Sequence, residues 1–141
     1  MTHPVTMRCR LSAPRTAVAC AILGLAASAL VAGLPSAAVP RLQVYFAADF
    51  KDPAYQQAAY KKVAAAWRRP PTAPEPGGKT VVIAVIRKDG SAPGPALHYK
   101  SGSDTWDAAA LDAVKKAAPF DPLPKTYPRP TVEVHFHFEY D

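Results

Sequence analysis

Residues 101–124 carry signals for both ends of one helix, and this feature constrains the fold more than any other. Asp104 can cap the first free amides, and Asp107 three residues later can complete a capping box. Pro119 lacks an amide proton and biases Ala118 away from helical geometry, so the helix ends by residue 118. One side of the helical wheel is apolar and is predicted to pack on a sheet: Trp106, Ala110, Ala113, Val114 and Ala117.

Three further segments are predicted to supply that sheet. Residues 79–88 contain a β-branched run and should form a central strand, which the Asp89-Gly90 turn connects to a return strand over residues 96–101. The last strand, residues 131–141, alternates, and its apolar face is formed by Val132, Val134, Phe136, Phe138 and Tyr140.

A second helix is predicted from Pro53, capped by Asp52, and should end by Arg69. The element order is therefore helix, strand, strand, helix, strand. It predicts an α+β fold in which a small antiparallel three-stranded sheet carries two helices on one face.

The beginning of the chain is predicted to be a leader. Residues 17–34 are uncharged and follow three arginines, which is typical of an export signal or a membrane anchor. A cleaved signal is favoured over a retained anchor, and a buried core helix is the third alternative. We divide the chain into a leader (1–38), a short connector (39–52) and a domain (53–141). The connector can add an edge strand, because it alternates at Leu42, Val44 and Phe46.

Charge and cysteine content exclude two classes of function. The formal net charge is +6. Without the three leader arginines, however, 14 basic residues face 11 acidic ones. Nucleic-acid binding needs a concentrated basic stripe, whereas the basic residues of the first helix, Lys61, Lys62, Arg68 and Arg69, are better explained as a solvated face. Both cysteines lie in the leader, so the domain has neither disulfides nor thiolate metal sites.

The sequence does not favour a catalytic or a metal-binding site. His135 and His137 share a strand face with Glu133 and Glu139, but zinc needs three or four converging ligands, so a polar outer face is the favoured interpretation. Capping and an ion pair with Lys116 account for the helix aspartates, and the serines lack a nucleophile motif. We therefore expect no catalytic residue, metal or cofactor.

Several pieces in this order resemble the C-terminal domain shared by the TonB and TolA energy transducers. They are residues 60–67 (YKKVAAAW), the apolar strand before Asp89-Gly90, residues 101–103 (SGS), 106–114 (WDAAALDAV) and 118–124 (APFDPLP). The resemblance covers about residues 55–140. The specificity lies in the set and its order, since Asp-Gly turns and alanine-rich helices are each common.

The resemblance implies a binding domain of the Gram-negative envelope and no enzyme. Family members are driven by an inner-membrane proton-motive complex and hold outer-membrane partners through a short extended peptide. It thus implies strand addition to an exposed edge, linked to TonB-type outer-membrane transport. Position after the second helix places that edge at residues 131–140, with Glu133, His135, Phe136, His137 and Glu139 as partner-binding residues.

Two departures from the family favour a binding module over a direct energy transducer. Residues 17–34 contain no histidine or charge to engage a proton channel, and the connector spans at most ~50 Å when fully extended. The alternative function is a periplasmic homodimeric scaffold. Either way, the protein is expected in the periplasm, soluble after signal cleavage or anchored by residues 17–34, with an outer-membrane receptor or periplasmic peptide as partner and no nucleic acid.

Overall fold

A computed structural model describes residues 38–141, so the predictions for the leader and its cleavage lie outside the described residues. The element order is β1 (Pro40–Phe46), α1 (Pro53–Ala66), β2 (Gly78–Arg87), β3 (Ala96–Tyr99), α2 (Asp104–Ala117) and β4 (Thr131–Tyr140). The strands form one sheet in the order β1-β4-β2-β3, and every neighbouring pair is antiparallel.

The predicted α+β class is correct, but the sheet has four strands where three were predicted. The fourth is β1, which the connector residues form. Its alternation explains why: Leu42 is buried, and Val44 and Phe46 pack on the same core. The apolar faces of both helices and of β4 belong to that core, which lies on one side of the sheet.

Helix α1 follows the sequence prediction at both ends. The Asp52 carboxylate accepts a hydrogen bond from the Tyr55 amide at 3.0 Å, and Pro53 occupies the first turn. The helix ends at Ala66, before Arg69 as predicted, and buries Tyr55, Ala59 and Val63. No helix within residues 38–141 is long and apolar enough to cross a bilayer.

Helix α2 ends as predicted but begins differently. Its cap is Ser103, whose hydroxyl accepts from the Trp106 amide at 3.4 Å, and Asp104 is the first helical residue. Asp107 does not complete a capping box. It is 3% exposed, and its Oδ1 accepts from the Thr80 hydroxyl and from the amide and hydroxyl of Ser101, the last two at 2.9 Å. Asp107 therefore joins α2 to β2 and to the turn after β3.

The turn after β2 requires glycine at position 90. Gly90 has a φ of +88°, and a Cβ atom there would lie 2.1 Å from the Phe120 carbonyl oxygen. The Phe120 amide also donates to the Gly90 carbonyl at 2.8 Å. The close approach of these two backbones fixes the loop after α2 against the end of β2, and from there the chain leads into β4.

Candidate functional site

Strand β4, the predicted docking edge, lies inside the sheet, so that prediction is wrong. One flank pairs with β1 from Phe46↔Val134 to Pro40↔Tyr140, and the other pairs with β2 along residues 131–140. The resemblance identified the strand by its position after α2, but it gave no information about β1. Along residues 133–140, β4 therefore has no free backbone edge for a partner strand.

The five predicted site residues fall into two groups. Phe136 is fully buried in the core. The other four, Glu133, His135, His137 and Glu139, lie on the opposite sheet face, which the helices leave open. Their backbones are paired on both sides, so a partner could reach only their side chains. Their role in partner binding stays a prediction.

On the open face, His135 and His137 each lie beside a glutamate. His135 Nε2 lies 2.7 Å from Glu133, and His137 Nδ1 lies 3.8 Å from Glu139. Burial lowers the pKa of His137, and the charge of Lys79 on β2 lowers it further. Within residues 38–141, no group of three or more potential ligands converges to hold a metal ion.

The two outer strands differ in what they offer a partner. β3 has four residues and a register shift against β2, which interrupts its ladder. β1 has seven residues paired in continuous register with β4. A regular strand of this length presents an edge on which a second strand can pair.

The hydrogen-bond phase of β1 shows which backbone groups are free. Val39 and Asp141 exchange backbone hydrogen bonds, and the Ala47 amide donates to the Glu133 carbonyl at 3.1 Å. Because paired positions alternate in an antiparallel ladder, Leu42, Val44 and Phe46 direct their N–H and C=O groups away from β4. Within the described part of the chain, no hydrogen bond reaches these outward groups.

A groove lies beside the first half of this edge. Its volume is about 490 Å³, within the ~300–1,000 Å³ usual for ligand sites. One wall is the start of β1 and the other is the C-terminal half of α1 with the residues that follow it. The lining residues are Pro40, Arg41, Leu42, Tyr60, Ala64, Trp67, Arg68 and Arg69.

The rim of the groove is positively charged. Arg41 forms an ion pair with Asp141 at 2.9 Å. Arg68 and Arg69 are exposed, and neither forms a salt bridge within residues 38–141. The Arg69 guanidinium lies 5.4 Å from the centre of the Trp67 ring, a cation–π distance. The groove thus combines an aromatic wall with two cations that lack acidic partners.

Sequence reasoning missed this site although both of its signals were visible. The alternation of Leu42, Val44 and Phe46 predicted an edge strand, and Arg68 and Arg69 were noted as part of a basic helix face. The missing information was that β1 and the end of α1 are neighbours. That proximity follows from the pairing of β1 with β4, which lies at the other end of the chain.

The family comparison places most of this structure in one known domain. A family model described as TonB C terminal matches residues 52–138, which begins at the cap of α1 and leaves β1 outside. A comparison with curated proteins finds no match.

Two solved structures are similar to this chain at 26% identity. The Helicobacter pylori TonB C-terminal domain has a TM-score of 0.48, and the match covers 60% of this chain and 77% of that one. TolAIII, solved with a peptide derived from the N-terminus of TolB, has a TM-score of 0.42, with 46% and 52% covered. This chain therefore spans about half of the TolAIII chain. Because the family model matches more than half of its 141 residues, this chain belongs to the TonB C-terminal family.

Proposed function

We propose that this domain is a non-catalytic envelope module that binds an extended peptide of a partner protein by adding it as a strand to β1. The observation that carries the proposal is the row of outward backbone groups at Leu42, Val44 and Phe46, for which residues 38–141 provide no partner. An incoming strand would pair with these groups and extend the sheet to five strands.

Family membership supports binding over catalysis. The partner we propose is a segment of an outer-membrane receptor or of a periplasmic protein, in keeping with a TonB-type transport system. The leader would place the domain in the periplasm, either soluble or anchored by residues 17–34. Residues 17–34 lack histidine and charge, so we propose a binding module and not a direct energy transducer driven by an inner-membrane proton-motive complex.

A variant at Val44 tests the docking edge directly. Its N–H points away from β4, so Val44→Pro removes one docking donor without removing a bond of the β1–β4 ladder. Val44→Thr keeps the N–H and the β-branched shape and is the matched control. Short peptides would be selected from a random display library on the full chain, and their binding sites mapped by amide NMR shifts.

We expect selected peptides to perturb the amides of Leu42, Val44 and Phe46. Affinity should fall about five- to tenfold in Val44→Pro, because one lost backbone hydrogen bond is worth about 1–1.5 kcal/mol. Val44→Thr should bind like the wild type. The proposal is overturned if peptides bind Val44→Pro and wild type equally, or map away from β1.

The homodimeric scaffold is the competing outcome, since the same edge can pair with a second copy. Light scattering over a range of protein concentrations separates the two. A dimer that Val44→Pro dissociates, in a protein that selects no peptide, would assign the edge to self-association.

A further inference from the structure

We infer that the groove between β1 and α1 selects an acidic peptide: the strand that pairs with β1 carries a carboxylate side chain that binds Arg68 and Arg69. This inference rests on the proposed strand addition and names the chemistry of its partner. The end of the docking edge at Pro40 and Leu42 forms one wall of the groove. A peptide that pairs along the edge must therefore pass the groove or end in it.

The charges around the groove favour an anionic occupant. Three of the eight lining residues are arginines, and none is acidic. Asp141 already neutralises Arg41, whereas Arg68 and Arg69 have no acidic partner in the described part of the chain. Residues 1–37 contain no aspartate or glutamate, so they cannot supply one either. We therefore place the complementary carboxylate on the peptide that pairs with β1.

The position of Arg69 suits recognition of a planar carboxylate. Its guanidinium packs near the Trp67 ring, while Trp67 itself is buried against Trp106 and Phe138, with ring centres 5.4 and 4.9 Å away. A guanidinium held on a fixed aromatic surface loses less freedom when it binds, and its N–H groups remain available for paired hydrogen bonds. Arg68 is the neighbouring second cation. Lysines would offer charge without this planar geometry.

The apolar wall explains why the occupant should be a peptide. Tyr60 is partly exposed beside Ala64, so the wall of α1 presents an aromatic ring and a methyl group to the groove. The Cα and Cβ atoms of a bound strand can pack on this wall while its backbone pairs with β1. A small anion would leave the wall uncovered.

Three synthetic peptides with the same alternating valine-threonine sequence test the inference. They differ only at the residue next to the groove, which is glutamate, glutamine or lysine. Binding to the full chain is measured by fluorescence anisotropy at low and high salt. The variants are Arg68→Gln/Arg69→Gln, the reversal Arg68→Glu/Arg69→Glu, and Lys115→Gln/Lys125→Gln, a control that removes the same charge from exposed residues outside the groove.

We expect the glutamate peptide to bind about tenfold more tightly than the glutamine peptide, consistent with one charge-assisted pair. The preference should shrink at high salt, disappear in Arg68→Gln/Arg69→Gln and persist in the lysine control. In the reversed variant the lysine peptide should bind best. This exchange of preference shows a direct contact, because a general effect of net charge would not depend on which cations are changed.

Other results overturn the inference, and they separate it from the proposed function. If the peptides bind equally and Val44→Pro weakens all three, strand addition stands and the acidic preference is wrong. If none of the three binds while library-selected peptides map to β1, strand addition stands and the acidic preference is wrong; if the library also yields no peptide, both are wrong. A glutamate preference that survives Arg68→Gln/Arg69→Gln places the acidic site elsewhere. Binding to phosphatidylglycerol vesicles that the same variant abolishes, without any peptide preference, would assign the arginines to a lipid surface.

Discussion

Strands β4 and β1 have similar alternating patterns, yet they occupy opposite positions in the sheet. β4 lies between two strands, and its inward side chains from Val132 to Phe138 are almost completely buried. β1 has one neighbour, and its Val44 and Phe46 are only partly buried. Alternation therefore tells which face of a strand meets the core, but it does not tell how many strands flank it.

The second neighbour of β4 is the part of the fold that local sequence could not provide. Helix ends and turns depend on residues within a few positions, which is why Asp52, Pro53, Pro119 and Gly90 were interpreted correctly. The contact between Leu42 and Phe138 joins opposite ends of the domain. The resemblance could not supply it either, because β1 lies outside the residues that match the family.

The position of Asp107 on the helical wheel indicated that it is buried, but its spacing was interpreted as a helix cap. Its spacing of three residues from Asp104 predicted a capping box, yet it also lies one turn before Ala110 and on the same side of the wheel as Val114. That side is buried, so Asp107 is buried with it and binds Thr80. A polar residue on the apolar side of a helix predicts an internal hydrogen-bond partner, although the sequence does not name it.

The largest expected effect tests the difference in burial between the two strands. Phe136→Ala on β4 removes a fully buried ring and should lower the free energy of unfolding by about 3–5 kcal/mol. Val44→Ala, at the β1 position paired with Phe136, should cost only about 1 kcal/mol because Val44 is smaller and half-buried. Urea unfolding of both variants measures the difference. Equal losses would show that β1 belongs to the core as fully as β4.

The next prediction compares the side-chain interactions of β2 and β1, the two neighbours of β4. Asp107→Ala leaves the Thr80 hydroxyl and two Ser101 donors without their acceptor, so β2 loses its side-chain hydrogen bond to α2. We expect a loss of about 2–3 kcal/mol in thermal or urea unfolding, since Thr80 is fully buried.

The corresponding link of β1 is the ion pair between Arg41 and Asp141, which is half-exposed. Arg41→Ala should cost no more than about 0.5 kcal/mol, as is usual for surface pairs. Asp104→Ala, on the same turn of α2 as Asp107 but exposed, is a second control and should cost less than about 1 kcal/mol. A large loss in either control would remove the contrast between the two neighbours.

A smaller effect tests the hydrogen-bond phase within β1. Gln43 pairs with His137 at a position whose N–H points toward β4, so Gln43→Pro should remove a ladder bond and cost about 1–2 kcal/mol. Val44→Pro removes an outward N–H and should destabilise the domain less. The order of the two melting temperatures shows which of the two residues directs its N–H group toward β4. If Val44→Pro were the more destabilising, the outward groups would be those of the odd-numbered residues and the docking edge would have the opposite phase.

The smallest effect concerns pH on the open face, where β1 and β4 meet. The pKa of His137 is lowered, first by burial and then by Lys79 on β2, while Glu139 opposes the shift and His135 adds to it. Tyr45 of β1 contributes to the burial, because its ring lies 4.7 Å from the imidazole.

Since the folded pKa of His137 lies below the value near 6.5 of the unfolded chain, the unfolded state takes up the proton first as pH falls. Stability should therefore be constant with respect to this group above about pH 6.5, decrease as pH falls toward the folded pKa, and level off below it.

Urea unfolding across this pH range should show a decrease in the free energy of unfolding, and His137→Gln should reduce that decrease. In Tyr45→Ala the imidazole becomes more hydrated, its pKa moves back toward 6.5, and the decrease should be smaller than in the wild type. An unchanged pH profile in Tyr45→Ala would mean that the Tyr45 ring contributes nothing to the burial that lowers the pKa of His137.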